Sequence, residues 1–148
     1  MRIPQLSLVV DNKPGALVGP CKLLNDAGIN IVTLSLTESR RFGVLRLIVA
    51  DWQRAQQVLE GAGFQVSMTE VLAIEVLDEP GGLLEVLGVL NEAGINVAHI
   101  YAFTSRLGDS AVLVFSFDNL DAAITALTRA GINPVAPIHL YDRLDDES

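Results

Sequence analysis

An internal repeat constrains this 148-residue chain more than any other feature. Leu24-Asn25-Asp26-Ala27-Gly28-Ile29-Asn30-Ile31 returns 66 residues later as Leu90-Asn91-Glu92-Ala93-Gly94-Ile95-Asn96-Val97. At the same offset Asn12-Lys13-Pro14-Gly15-Ala16-Leu17 matches Asp78-Glu79-Pro80-Gly81-Gly82-Leu83, and Ser39-Arg40 matches Ser105-Arg106. One residue of slippage sets Asp51 against Asp118, and two set Ala62-Gly63-Phe64 against Ala130-Gly131-Ile132. Agreement this dense means two copies of one unit. The expected organisation is a first domain over 1–69, a second over 70–141 and an acidic, mobile tail over 142–148.

Each copy carries the same signals. Ile3 to Val10 and Val71 to Leu77 are rich in β-branched and aliphatic residues and read as strands. Pro14-Gly15 and Pro80-Gly81 then open helices, with Asn12 and Asp78 as candidate N-caps. Leu17, Cys21 and Leu24, like Leu83, Leu87 and Leu90, fall at i, i+4 and i+7 and form one apolar stripe. Four times Ala-Gly precedes a large apolar residue, at Gly28, Gly63, Gly94 and Gly131. Glycine there can end a helix in the left-handed conformation, so four helices are expected. Strands at Ile31 to Thr37, Val44 to Val49, Val97 to Phe103 and Ala111 to Phe117 follow the first stop of each copy. Second helices start at Asp51 and Asp118 as N-caps, and last strands lie near Phe64 to Met68 and Val135 to Tyr141. The order β-α-β-β-α-β is the ferredoxin-like split motif, twice, in the α+β class. Right-handed crossovers place both helices of a unit on one sheet face. Pro20, deep in the first helix by this reading, should kink it.

Composition excludes several functions. Lys and Arg number 10 against 18 Asp and Glu, a net charge of −8, which opposes nucleic-acid binding. The imbalance lies in the second copy: residues 1–69 carry +2 and residues 70–148 carry −10. Charges or turn residues interrupt every apolar run short of a membrane span, and Met1 to Gln5 leads straight into a strand, so neither membrane nor signal peptide is expected. The single cysteine, Cys21, fits a cytoplasmic location and sits on the apolar stripe as a small hydrophobe. His99 and His139 have no ligand-spaced partners, so no metal is expected. Pro80-Gly81-Gly82 lacks the Lys-Ser/Thr of a phosphate loop. Asp118 and Asp121 suit a helix's first turn better than an acid–base pair. Arg40-Arg41 and Arg106 mark solvated hairpin turns. With no nucleophile–base pairing, the chain is expected to be no enzyme and to need no cofactor.

The loop Asp78-Glu79-Pro80-Gly81-Gly82-Leu83, followed by Gly94-Ile95-Asn96-Val97 at a strand start, resembles the ACT domain family, small ligand-sensing modules of amino-acid metabolism. The first copy shows the same pattern with Asn12 in place of the aspartate. The resemblance spans all but the tail and implies a stand-alone tandem ACT protein. It implies an amino-acid ligand, allosteric regulation of a partner enzyme of amino-acid metabolism, and a pocket where the first loop of one unit meets the β2 start of a neighbour. That pairs Asn12, Pro14, Gly15, Ala16 and Leu17 with Asn96 and Val97, and Asp78, Gly81, Gly82 and Leu83 with Asn30 and Ile31. The neighbour can belong to the same chain or to a second one.

Physical chemistry is compatible with such a site. Helix N-termini attract a carboxylate, glycines let a ligand reach the backbone, Asp78 can accept from an ammonium group, and Asn30 and Asn96 can donate and accept. Plain capping explains the same residues one at a time. The alternatives to a sensor are a ligand-free assembly module and a detached regulatory subunit of a biosynthetic enzyme. Alternation along Ala111 to Phe117 puts Leu113, Phe115 and Phe117 on one side and Val112 and Val114 on the other. Both sides being apolar, the helix-free face should be covered, and a homodimer through sheet faces or edges is expected. The two sheets are expected side by side, about eight strands with all helices on one side.

Overall fold

The same local signals build the same elements in both copies. The structure, a computed structural model that describes residues 2–103 and 110–135, runs β1 (Ile3–Asp11), α1 (Val18–Asp26), β2 (Ile31–Glu38), β3 (Phe42–Val49), α2 (Trp52–Gly61), β4 (Val66–Leu77), α3 (Gly82–Glu92), β5 (Val97–Ala102), β6 (Ser110–Phe117) and α4 (Leu120–Arg129). It divides into two compact units, Pro4–Thr69 and the residues from Glu70 on, the latter joined by Arg2 and Ile3. The strand order is β2-β3-β1-β4 in the first unit and β4-β6-β5 in the second. Of the expected last strand of the second copy, only the first residue, Val135, is described: its N–H donates to the Ala73 carbonyl at 2.8 Å. The rest of that strand, Arg106, His139 and the tail lie outside the described residues.

Alternation sorts each sheet into two faces. In the first unit Leu6, Leu8 and Val10 of β1 and Leu45, Leu47 and Val49 of β3 pack against Leu24 of α1 and Ala55 and Leu59 of α2. Both helices therefore lie on one face. In the second unit Leu72, Ile74 and Val76 of β4 and Phe115 of β6 meet Val86 and Leu90 of α3 and Ala123 and Leu127 of α4. The chain is α+β, built of tandem ferredoxin-like units. All four glycine stops hold. Gly28, Gly63, Gly94 and Gly131 take φ between 68° and 96°, and the next residue re-enters the core, as when Ile29 N–H donates to the Leu24 carbonyl at 2.9 Å.

Several local expectations are corrected. Phe64 to Met68 and Val71 to Leu77 are not separate strands: Val66–Leu77 is one strand through Thr69, because Thr69-Glu70 contains no turn former. The second copy's hairpin is two residues longer. Ile31 pairs with Val49 and Val97 with Phe117, so the offset is 66 before the hairpin and 68 after it. Asp51 caps α2 by accepting from Arg54 N–H at 3.4 Å, but its counterpart is Asn119, which accepts from Ala122 N–H at 3.1 Å, and not Asp118.

Pro20 does not kink α1; it sets where the helix begins. Having no N–H for the Ala16 carbonyl, it prevents a helix from starting at Pro14. The helix starts at Val18 instead, which leaves Pro20 in the first turn, where N–H groups lack intrahelical partners anyway. With Val86 at the matching place, α3 starts at Gly82, two positions earlier in the repeat.

On the helix-free side of β6, Val112 and Val114 are 2% and 0% exposed. Buried in the single chain, these valines offer no surface to a second copy, which removes the argument for a dimer through that strand.

Candidate functional site

The loop after β1 is shaped by two hydrogen bonds and a late helix. Asn12 is not the N-cap of α1; that place belongs to Leu17, whose side chain makes no capping bond. Asn12 instead ties the loop to the β2–β3 hairpin, its backbone N–H donating to the Arg41 carbonyl at 2.9 Å and its Nδ2 to the Ser39 carbonyl at 2.9 Å. Between Asn12 and Val18 the chain makes turns, with Ala16 N–H on the Lys13 carbonyl and Val18 N–H on the Gly15 carbonyl. Gly15 takes φ +83°, a conformation that favours glycine.

Beneath this loop lies a cavity of about 210 Å³, lined by residues 10–13 and 15–18, by Leu36 and Glu38 of β2 and by Gly43 of β3. Its walls are Val10, Ala16, Leu17 and Leu36. Gly43, opposite Val10 in the ladder, forms the floor. Charges of both signs stand at the rim: Lys13 Nζ is 3.6 Å from Asp11 Oδ2, and Glu38 of β2 also lines the cavity.

Four of the five expected first-loop residues, Asn12, Gly15, Ala16 and Leu17, thus line one cavity, and Pro14 lies in the same loop. Asn30 and Ile31, which the resemblance pairs with the second loop, lie away from this one. β1 and β2 both run antiparallel to β3, Asp11 lying opposite Phe42 and Ile31 opposite Val49. The loop after β1 and the start of β2 are therefore at opposite ends of their unit's sheet. Leu36, Glu38 and Gly43 were not foreseen as site residues. A glycine inside an apolar strand is the one signal that could have pointed there.

The second loop is built differently. Asp78 is not the cap of α3; Gly81 is, at φ +92°. Gly82 opens the helix against β4, where a side-chain carbon would stand 2.1 Å from the Leu77 carbonyl oxygen. Gly82 borders a more polar cavity of about 290 Å³ with Glu75, Glu85, Ser110 and Asn133. Leu83 is exposed. Asn96 Nδ2 donates to Asp118 Oδ2 at 2.8 Å, tying the strand start to the bend between β6 and α4, and Val97 packs against the second core.

Among the described residues no group of three or more His, Cys, Asp and Glu could hold a metal ion, and no helix is long and apolar enough to cross a membrane.

The model of the ACT domain pair matches residues 1–141. Among solved structures, protein BT0572 from Bacteroides thetaiotaomicron is 33% identical with a TM-score of 0.88, covering 95% of this chain and 96% of that one. The ligand-free regulatory subunit of aspartate kinase from Thermus thermophilus is 16% identical, TM-score 0.63, over 86% of this chain and 92% of its own. That of Thermus flavus is 18% identical, TM-score 0.62, over 88% and 93%. At such identities the latter two show a shared fold. A search of the curated proteins found no match.

Proposed function

The chain belongs to the ACT domain family, as an ACT domain pair, and from that premise we propose that it is a regulatory protein that binds a small amino acid at the β1–α1 loop of its first unit and transmits the signal to an enzyme of amino-acid metabolism. The observation that carries this reading is the first-unit cavity, apolar inside and bordered by Lys13, Asp11 and Glu38. A free amino acid is a zwitterion. Its carboxylate suits the Lys13 ammonium and its ammonium suits Asp11 or Glu38, while its side chain enters the apolar interior. Drug-sized ligands occupy cavities of about 300–1,000 Å³, so a space of about 210 Å³ suits a smaller molecule.

Support for a regulatory role comes from the fold, which the regulatory subunits of two aspartate kinases share. A ligand that binds one conformation better shifts the balance toward it, and a partner that distinguishes the conformations receives the signal.

Thermal unfolding against each of the twenty amino acids tests the reading. A ligand at about 100 times its Kd adds about 2.7 kcal/mol to the folded state, which moves the midpoint by several degrees. We expect one amino acid, or one chemical class of them, to do so. A midpoint unmoved by any of the twenty contradicts the reading and favours a ligand-free assembly module.

A further inference from the structure

We infer that the first-unit cavity selects amino acids with a branched aliphatic side chain (leucine, isoleucine or valine) and that Gly43 is a specificity-determining residue. This rests on the amino-acid reading above and adds what neither the repeat nor the family gives, namely the side-chain class and a difference between the matching places of the two units.

The argument begins with the strand register. Val10 lies opposite Gly43 and Val76 lies opposite Ala111, while Leu36 pairs with Leu45 and Ala102 with Leu113. The two units therefore share a valine at the first of three matching places and differ at the other two. The first has Val10, Gly43 and Leu36; the second has Val76, Ala111 and Ala102. In the first unit the floor carries no side chain and a leucine stands as the wall. The second reverses this, with a methyl group on the floor and a short wall. Gly43 is buried, and a methyl group there would lie 3.0 Å from Leu36 Cδ1 and 3.4 Å from Val10 Cγ2, inside the space the cavity uses.

The lining then chooses the ligand. Val10, Leu17 and Leu36 present branched aliphatic carbon, and all three charged lining residues, Asp11, Lys13 and Glu38, are exposed at the rim. A hydroxyl, amide or charged tail placed inside would lose its water without gaining a partner. An aliphatic tail gains from leaving water, and each methylene placed in such a pocket is worth from about fourfold to tenfold or more in affinity. Both ends of the zwitterion remain at the rim, beside charges of opposite sign.

Calorimetry on the full chain with leucine, isoleucine, valine, serine, aspartate and lysine tests this, alongside Gly43→Ala and Leu36→Asp. A methyl group at Gly43 comes tightest against two side-chain ends and lies at an ordinary 3.6 Å from the Thr37 carbonyl oxygen, and Leu36 is 46% exposed, so both variants should fold, which circular dichroism checks. We expect one of the three aliphatic amino acids to bind tightest, about tenfold or more above serine, aspartate and lysine, and each variant to weaken it at least tenfold. Tightest binding of serine, aspartate or lysine overturns the selectivity and leaves the amino-acid reading standing. Aliphatic binding unchanged in both folded variants overturns the assignment to this cavity. Binding of none of the six, with another of the twenty amino acids raising the unfolding midpoint, overturns the selectivity alone; no effect from any of the twenty overturns both readings.

Discussion

Asn12 Nδ2 donates to the Ser39 carbonyl oxygen at 2.9 Å, and this bond joins the loop after β1 to the hairpin between β2 and β3. The cavity has one wall on the loop and another on the hairpin strands, so the bond fixes the distance between them. Asn12→Ala removes it while leaving the backbone bond to Arg41 intact. A hydrogen bond of this kind contributes about 0.5–1.5 kcal/mol net. The expected outcome is a loss of about 1 kcal/mol in urea unfolding and a larger proportional loss in amino-acid affinity, measured by calorimetry.

Among the described glycines Gly82 makes the closest approach to another stretch of backbone, and no side chain fits there. A side-chain carbon 2.1 Å from the Leu77 carbonyl oxygen forces the start of α3 away from β4. Gly82→Ala should lower stability by roughly 1–3 kcal/mol, the usual cost of overpacking. Thermal unfolding checks it. Ala16→Gly, at the matching place in the first unit, should shift the midpoint far less, because it adds no atom.

Pro20→Ala restores an N–H that can reach the Ala16 carbonyl. Residues 16 and 17 can then join α1, so helicity should rise slightly while stability changes by about 1 kcal/mol or less. The loop over the cavity is drawn into the helix, and ligand affinity should fall. Circular dichroism and calorimetry on the same sample follow the two effects.

Arg2 bonds Asp121 in the first turn of α4 and lies 3.9 Å from Glu70. The hydrogen bond to Asp121 first, and the charges of Asp121 and Glu70 after it, raise the guanidinium above its ordinary range, so it stays charged. The pair is exposed, however, and exposed ion pairs contribute little. Arg2→Ala should leave the urea midpoint unchanged within error at physiological salt.

The sequence disclosed the fold more fully than the site. The repeat, the four Ala-Gly stops and the alternation in β1 and β6 are local signals, and each gave its element directly. What stayed hidden depended on partners distant in the chain. Asn12 has the right residue type for a cap, and only the hairpin folded back beside it shows that its amide serves Ser39. The role of Pro20 depends on where the helix begins, which Pro20 itself decides. Gly43, Leu36 and Glu38 reach the first loop only through strand pairing, so no spacing along the chain marks them. Asn30 and Ile31 share a motif with the loop, yet antiparallel pairing carries them to the far end of their sheet.

The most direct test of the central claim is backbone amide NMR of the full chain during titration with the amino acid that most raises its unfolding midpoint. The account predicts that the resonances that move first and furthest belong to residues 12–18, Leu36 and Gly43, saturating with a single affinity. Saturable shifts that leave those residues unmoved would contradict it, and so would the absence of any saturable shift.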